Sequence, residues 1–203
     1  MDEFFAANPP GISRILRRKT AFIAGAGGLG SNVAIMLARA GLGALAVADF
    51  DNVSPSNMNR QQFTRAQMGM PKTKALAENI RAISPELRFT EINKRLEAGN
   101  LEELIPAADI IFECFDRPSC KAELVRFCLS RLPETPLIAV SGLAGMGPVS
   151  ELKIVQRTPN FYLVGDESSD VGSGVGTISS RVILVAAMQA HVGLRLLCGL
   201  PAL

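Results

Sequence analysis

The stretch Thr20-Ala-Phe-Ile-Ala24, Gly25-Ala-Gly-Gly-Leu-Gly30, Ser31 through Ala40, and Ala44-Leu-Ala-Val-Ala-Asp49 decides the fold. An apolar run stops at a cluster of glycines, a helix-period segment follows, and a second apolar run ends in a carboxylate. From about Ser31 to Ala40 the apolar residues Val33, Met36, Leu37 and Ala40 share one helical face. Gly41 and Gly43 then end the helix, as glycine does past a helix C-terminus. Gly25, Gly27 and Gly30 form G-x-G-x-x-G between strand and helix, where backbone N–H groups can approach phosphate at the helix N-terminus. Asp49 comes about twenty residues on, at the end of the next strand, where a carboxylate accepts bonds from ribose hydroxyls. This pattern points to an adenosine nucleotide without separating NAD, FAD and ATP.

The same alternation continues outward. Pro71 begins a helix to about Ile83, Leu87 to Ile92 reads as a strand, and a short helix near Leu101 to Ile105 leads into the strand Asp109 to Cys114. A helix from about Ser119 to Leu132, a strand from Pro136 to Val140 and a last helix from about Ser180 to Cys198 complete it. Strands alternating with helices predict an α/β, Rossmann-like sheet, mostly parallel with helices on both faces. Pro148 to Gln156 alternates as a less buried strand, so antiparallel strands should extend the sheet near the C-terminal third. Residues 164–176, rich in Gly, Ser and acidic residues, predict a loop and the best candidate for a flexible flap.

At 203 residues, with 48% hydrophobic and 20% charged residues, one domain over 1–203 is expected. A net charge of +2 gives no reason to expect bulk nucleic-acid or membrane binding. The first nineteen residues do not read as a signal peptide, and charges interrupt the longest apolar stretches, so a cytoplasmic protein is expected. The four cysteines, Cys114, Cys120, Cys128 and Cys198, form no C-x-x-C pair, and no structural zinc is expected. Cys114, Cys128 and Cys198 read as buried structural residues; Cys120, near a helix start, is the candidate for reactivity. His191, the single histidine, reads as a packed or surface helix residue.

Between Asn52 and Ala77 there is no Asp or Glu, whereas Arg60, Arg65, Lys72 and Lys74 are present and Asn57, Asn59, Gln61 and Gln62 cluster around Arg60. A dinucleotide needs no such segment, because the glycine loop handles its pyrophosphate. A triphosphate carries about four negative charges, and phosphoryl transfer adds transition-state charge to stabilise. Asp116, just past the fourth strand, either holds Mg²⁺ against the phosphates or, with Ser119 as the other candidate, caps the following helix. Glu113, one strand position before Cys114, is either buried and paired or on an accessible edge.

The run Gly25 to Ala34, then Asp49-Phe-Asp51, Val53-Ser-Pro-Ser-Asn-Met-Asn-Arg-Gln61 and Gly69-Met-Pro-Lys72, resembles the ThiF/MoeB/HesA family of adenylating enzymes, relatives of the activating enzymes of ubiquitin. The resemblance extends from about Lys19 to Leu197 and is strongest to short ThiF-like proteins acting on a ThiS-type sulfur carrier. It implies that Gly25, Gly27, Gly28 and Gly30 cradle the phosphates of ATP, that Asp49 holds the ribose with Asp51 beside it, and that Asn57, Arg60 and Gln61 line the phosphate side. It further implies that Lys72 binds phosphates and Asp116 holds Mg²⁺. The implied partner is a ubiquitin-fold carrier with a C-terminal Gly-Gly, the implied assembly a homodimer, and the implied pathway thiamine or related sulfur-cofactor synthesis.

The sequence also departs from the family. Phe115-Asp116-Arg117 stands where many relatives have Thr-Asp-Asn, both zinc-binding C-x-x-C pairs are missing, and no cysteine lies between Ser141 and Arg181. These departures leave adenylation as the expectation and remove the usual cysteine for a covalent carrier intermediate, so whether any other cysteine forms one stays open. The segment around Arg14 and Arg17 does not match the family motif for an arginine that reaches a partner subunit's ATP. An NAD-dependent oxidoreductase shares the glycine loop and Asp49 but leaves Asn57 to Lys72 unexplained. A non-catalytic nucleotide-binding scaffold conflicts with Arg60, Lys72 and Asp116 all being present.

Overall fold

The computed structural model describes residues 3–170 and 174–203. Seven strands form one sheet: β1 (Thr20–Ala24), β2 (Ala44–Ala48), β3 (Arg88–Ile92), β4 (Ile110–Glu113), β5 (Leu137–Val140), β6 (Lys153–Thr158) and β7 (Phe161–Gly165). Their order is β3-β2-β1-β4-β5-β7-β6, all parallel except that β6 runs antiparallel to β7. From β1 the chain moves outward to β2 and β3, then returns to place β4 on the other side of β1. That reversal opens a crevice beyond the carboxyl ends of β1 and β4, where sheets of this kind take their ligands.

The helices are α1 (Ile12–Leu16), α2 (Gly28–Ala40), α3 (Lys72–Ile83), α4 (Leu101–Leu104), α5 (Pro118–Arg131) and α6 (Ser179–Leu197). Side chains alternate across a strand, and the two faces carry separate apolar clusters. Ile23, Val47, Ile110 and Phe112 pack with Val33 and Leu37 of α2, Leu76 and Ile80 of α3, and Val185 of α6. Phe22, Ala24, Ala46 and Ile111 pack with Leu101 of α4 and with Leu124 and Cys128 of α5. Helices on both faces therefore follow from apolar residues on both sides of the inner strands, with Thr20 and Glu113 as polar exceptions at strand ends.

Three sequence expectations are corrected. The strand expected over Pro148 to Gln156 begins at Lys153, because Val149–Glu151 forms a 3-10 turn. The expected loop over 164–176 starts later: Val164 and Gly165 finish β7, which the sequence reading missed. Its residues 171–173 lie outside the described residues. The chain before β1, for which no element was expected, contains α1, whose five residues are too few to show a period. Helix α6 is long and apolar enough to cross a membrane by length and composition; here half of it is buried, packed chiefly on α2.

The segment after β7 is pinned by an ion pair inside the fold. Arg181, in the first turn of α6, donates to Asp166 at 2.6 Å, and both side chains are buried. Arg181 also donates to the carbonyl oxygens of Gly147 and Pro148, while Asp166 accepts from the backbone and hydroxyl groups of Ser168 and Ser169. Burial alone would raise the Asp166 carboxyl, but Ser169, Ser168 and Arg181 outweigh it and hold the group well below the usual 3.8. A depressed folded value makes the stabilisation complete above the unfolded value and progressively lost as pH falls below it. Asp166→Asn is expected to cost about 3 kcal/mol at neutral pH by leaving a buried guanidinium unpaired. Urea unfolding of both proteins at pH 7 and near pH 3 checks this: the difference should shrink in acid.

Candidate active site

The carboxyl ends of β1, β2 and β4 bring the expected site residues to one crevice. Gly25 leaves β1 with φ +100°, a conformation that favours glycine, and its N–H bonds to the Ala48 carbonyl of β2. A Cβ there would come within 2.8 Å of the Cys114 carbonyl oxygen, so the turn lies hard against the exit of β4. Gly27 is the N-cap of α2, which leaves the first N–H groups of a thirteen-residue helix facing the crevice. Helix α2 begins at Gly28, three residues before the sequence expectation, because the last glycines of the loop are already helical.

Asp49 locks this loop to β2. Its Oδ2 accepts the Ala26 N–H at 2.7 Å, and its Oδ1 accepts the Asp51 N–H at 2.8 Å. Lys72 is buried with its Nζ 2.8 Å from Asp51 Oδ2 and 3.9 Å from Asp49 Oδ2. Burial pushes the Asp49 carboxyl above its usual range, and the Lys72 charge with the N–H groups of Asp51 and Ala26 counters only part of that. Lys72 thus joins the ribose-side carboxylates, away from the Arg60 cluster. It is the first residue of α3, and Pro71 is that helix's N-cap, one position outside the turn expected for it.

The segment from Asn52 to Met70 is an ordered clamp built on two tight turns. Ser54 with Asn57, and Thr64 with Gln67, form capping boxes around 3-10 turns. Asn57 Oδ1 accepts the Ser54 N–H, so the Asn57 side chain shapes the turn that carries Arg60. Arg60 donates to the Ser56 carbonyl and to Asn59 Oδ1, and a Cβ on Gly28 would lie 3.4 Å from Arg60 Cγ. Asn32 and Ser31 of α2 stitch the segment down through the Arg60 carbonyl, Gln62 Nε2 and the Gln62 N–H. Gln61 is buried beside Gly27, and its Oε1 has no partner among the described residues.

Asp116 is exposed just past β4 and bonds to no group among the described residues. The capping alternative is excluded: the N-cap of α5 is Arg117, and neither Asp116 nor Ser119 caps the helix. Glu113 is buried and paired with Lys121. Burial together with the Glu113 charge raises both inner thiols, Cys114 above its usual range and Cys128 up to about 12, so neither is a ready nucleophile. His191 is exposed on α6.

One cleft near the site was not expected from sequence. A cleft of about 450 Å³ opens between the loop after β3 and the start of α5, lined by Arg95, Leu96, Arg117, Cys120 and Glu123 among others. Arg95 stacks over Phe50, the neighbour of Asp49, with its guanidinium carbon 4.4 Å from the ring centroid. Of the residues singled out from sequence, Arg117 and Cys120 line this cleft.

Glycine loop, ribose-type carboxylate, anion-facing helix and adjoining cleft define a Rossmann-like nucleotide-binding protein. The chain belongs to the ThiF family, whose model matches residues 6–203. It is 34% identical over 147 residues to a molybdopterin-synthase adenylyltransferase of Haemophilus influenzae, a match covering 72% of this chain and 60% of that protein. It is 28% identical over 182 residues to the sulfur carrier protein ThiS adenylyltransferase of Escherichia coli, covering 88% and 72%. The crystal structure of E. coli tRNA N6-threonylcarbamoyladenosine dehydratase, TcdA, shares the fold with a TM-score of 0.82 at 22% identity, over 93% of this chain and 89% of that one. The E. coli MccB structure with ATP gives a TM-score of 0.73 at 20% identity, over 92% and 57%.

Proposed function

We propose that the chain, as a single domain, adenylates the C-terminal Gly-Gly carboxylate of a small ubiquitin-fold sulfur carrier, using ATP and releasing pyrophosphate. The observation that carries this reading is the seating of the Arg60 segment directly on the glycine loop, through Gly28 and the Asn32 bonds. A cationic, hydrogen-bonding wall beside the phosphate cradle suits a triphosphate; hydride transfer has no use for it. The named relatives are an adenylyltransferase of molybdopterin synthase and one of the sulfur carrier protein ThiS. We favour a ThiS-like carrier in thiamine or related synthesis, a homodimer, and a cytoplasmic setting where ATP is abundant.

In this reading Asp49 accepts the ribose hydroxyls, the base enters the cleft beside Arg95 and Arg117, and the phosphates run along Gly25 to Gly30 toward Arg60 and Gln61. The carrier's carboxylate, already ionised, attacks the α-phosphorus through oxygen. The bond from α-phosphorus to the bridging oxygen breaks, and pyrophosphate leaves with that oxygen. No proton moves, so no side-chain base is required. Arg60 stabilises the added charge, Lys72 holds Asp49 and Asp51 on the ribose side, and the fixed crevice holds the reactants in line. Asp116 fits Mg²⁺: an exposed carboxylate just past β4, without a partner among the described residues, matches an ion usually bound by one or two carboxylates plus phosphate and water oxygens. When bound, Mg²⁺ would neutralise charge on those phosphate oxygens.

The test is ATP–pyrophosphate exchange with purified Gly-Gly-ended carriers. Exchange should require a carrier and vanish when its terminal glycine is deleted. Retention of NAD in place of ATP, with no exchange, would overturn the reading in favour of an oxidoreductase. ATP binding without carrier-stimulated pyrophosphate release would leave only a scaffold.

A further inference from the structure

Glu113 is a buried charge to which the proposed reaction gives no part. It closes β4 with its side chain fully buried. Its Oε1 accepts the Phe115 N–H at 2.7 Å, and its Oε2 lies 3.5 Å from the Val140 nitrogen. Lys121, in the first turns of α5, donates to both oxygens, at 3.0 and 2.7 Å. From beneath, Gln189 of α6 donates to the Glu113 and Ile138 carbonyl oxygens at 3.0 and 2.8 Å. One carboxylate therefore grips the exit of β4, the exit of β5 and the start of α5.

Stability alone is a poor reason for this arrangement, because well-packed apolar residues commonly replace a buried ion pair at no loss. What a carboxylate does that an apolar side chain does not is accept N–H groups with two oxygens at once. Phe115 directly precedes Asp116, so the bond to its N–H sets the direction in which the chain leaves β4. The turn is also backed by the glycine loop, since a Cβ on Gly25 would lie 3.4 Å from Phe115 Cδ1. Among the described residues the Asp116 side chain has no hydrogen-bond partner of its own.

We infer that Glu113, held by Lys121, is a positioning residue that aims Asp116 at the phosphates. The inference rests on the adenylation reading. Glu113→Gln keeps the volume but converts one oxygen into a donor, which then faces the Val140 N–H or the Lys121 ammonium. One grip is lost and the turn loosens. Glu113→Asp keeps both acceptors and should restore most of the effect.

The experiment is calorimetric titration of the full chain with ATP, with and without Mg²⁺, and with AMP, in the absence of any carrier. In the wild type Mg²⁺ should strengthen ATP binding, and Asp116→Asn should remove that gain. Glu113→Gln is expected to weaken the Mg²⁺-dependent gain by about tenfold, as loss of an outer support does at metal sites, with AMP affinity changed less than about twofold. Amide exchange at Phe115 should accelerate in the same variant. Equal losses for AMP and Mg·ATP would mean general damage to the site and overturn the inference. So would an unchanged Mg²⁺ gain in Glu113→Gln while Asp116→Asn loses it, and that outcome leaves the adenylation reading standing. A wild type that binds no ATP overturns the adenylation reading itself. If Glu113→Gln does not fold, Lys121→Met carries the test, since it frees the carboxylate to turn from the N–H groups; an undiminished Mg²⁺ gain there overturns the inference.

Discussion

Asp116→Ala is expected to reduce carrier-dependent ATP–pyrophosphate exchange by about a thousandfold, the scale on which one preorganised charge-stabilising group acts in a transition state. The side chain is exposed past β4, its carboxylate free of hydrogen bonds among the described residues, and it caps no helix. Its removal should therefore leave the melting temperature unchanged and AMP affinity nearly so. Arg60→Ala should cause a comparable loss for a different reason. Its guanidinium rests on the Ser56 carbonyl and Asn59 Oδ1 beside Gly28, and among the described residues no carboxylate pairs with it. Lys72 is different, because Asp49 and Asp51 already partner it. Steady-state exchange assays at saturating carrier check both variants; full activity in either removes that residue from the proposed chemistry.

Gly30→Ala is expected to abolish nucleotide binding and to destabilise the fold by about 3 kcal/mol, the upper range for overpacking a filled interior. A Cβ on Gly30 would overlap the Gly25 carbonyl oxygen and stand 2.9 Å from Ile23 Cγ2. Neither neighbour can retreat. Gly25 is tied through its N–H to Ala48, and Ile23 is fully buried in the central strand. Helix α2 would have to lift from β1, taking its first N–H groups away from the phosphates. Urea unfolding and ATP titration measure the two effects, and a variant with wild-type stability would contradict the packing argument. Gly27→Ala provides the contrast, since a Cβ there meets only Gln61 Nε2 at 3.9 Å.

Much of this architecture was legible because its signals are local. The apolar runs of the inner strands, the glycines between β1 and α2 and the carboxylate ending β2 each follow from neighbours in sequence. The element type was right for β1 to β5 and for the helices long enough to show a period. Strand β7 was missed because Phe161 to Gly165 runs into a Gly- and Ser-rich segment whose composition reads as loop. Its strand character comes from lying between β5 and β6. The clamp from Asn52 to Met70 read as an aperiodic connection because its order resides in two capping boxes and in bonds to α2, more than twenty residues away in the chain.

The sequence by itself determined the class of sheet, the adenosine-type loop and the family, since these depend on residue types at short, regular spacing. The tertiary structure decided how the charges are shared. Folding sets Lys72 on α3 beside Asp49 and Asp51, leaves Arg60 on the glycine loop, frees Asp116 from capping α5, and closes Glu113 onto Lys121. No local pattern encodes those pairings. Each depends on which strand ends the chain reversal between β3 and β4 brings side by side, and on burial, which makes the choice of partner matter for every charge taken out of water.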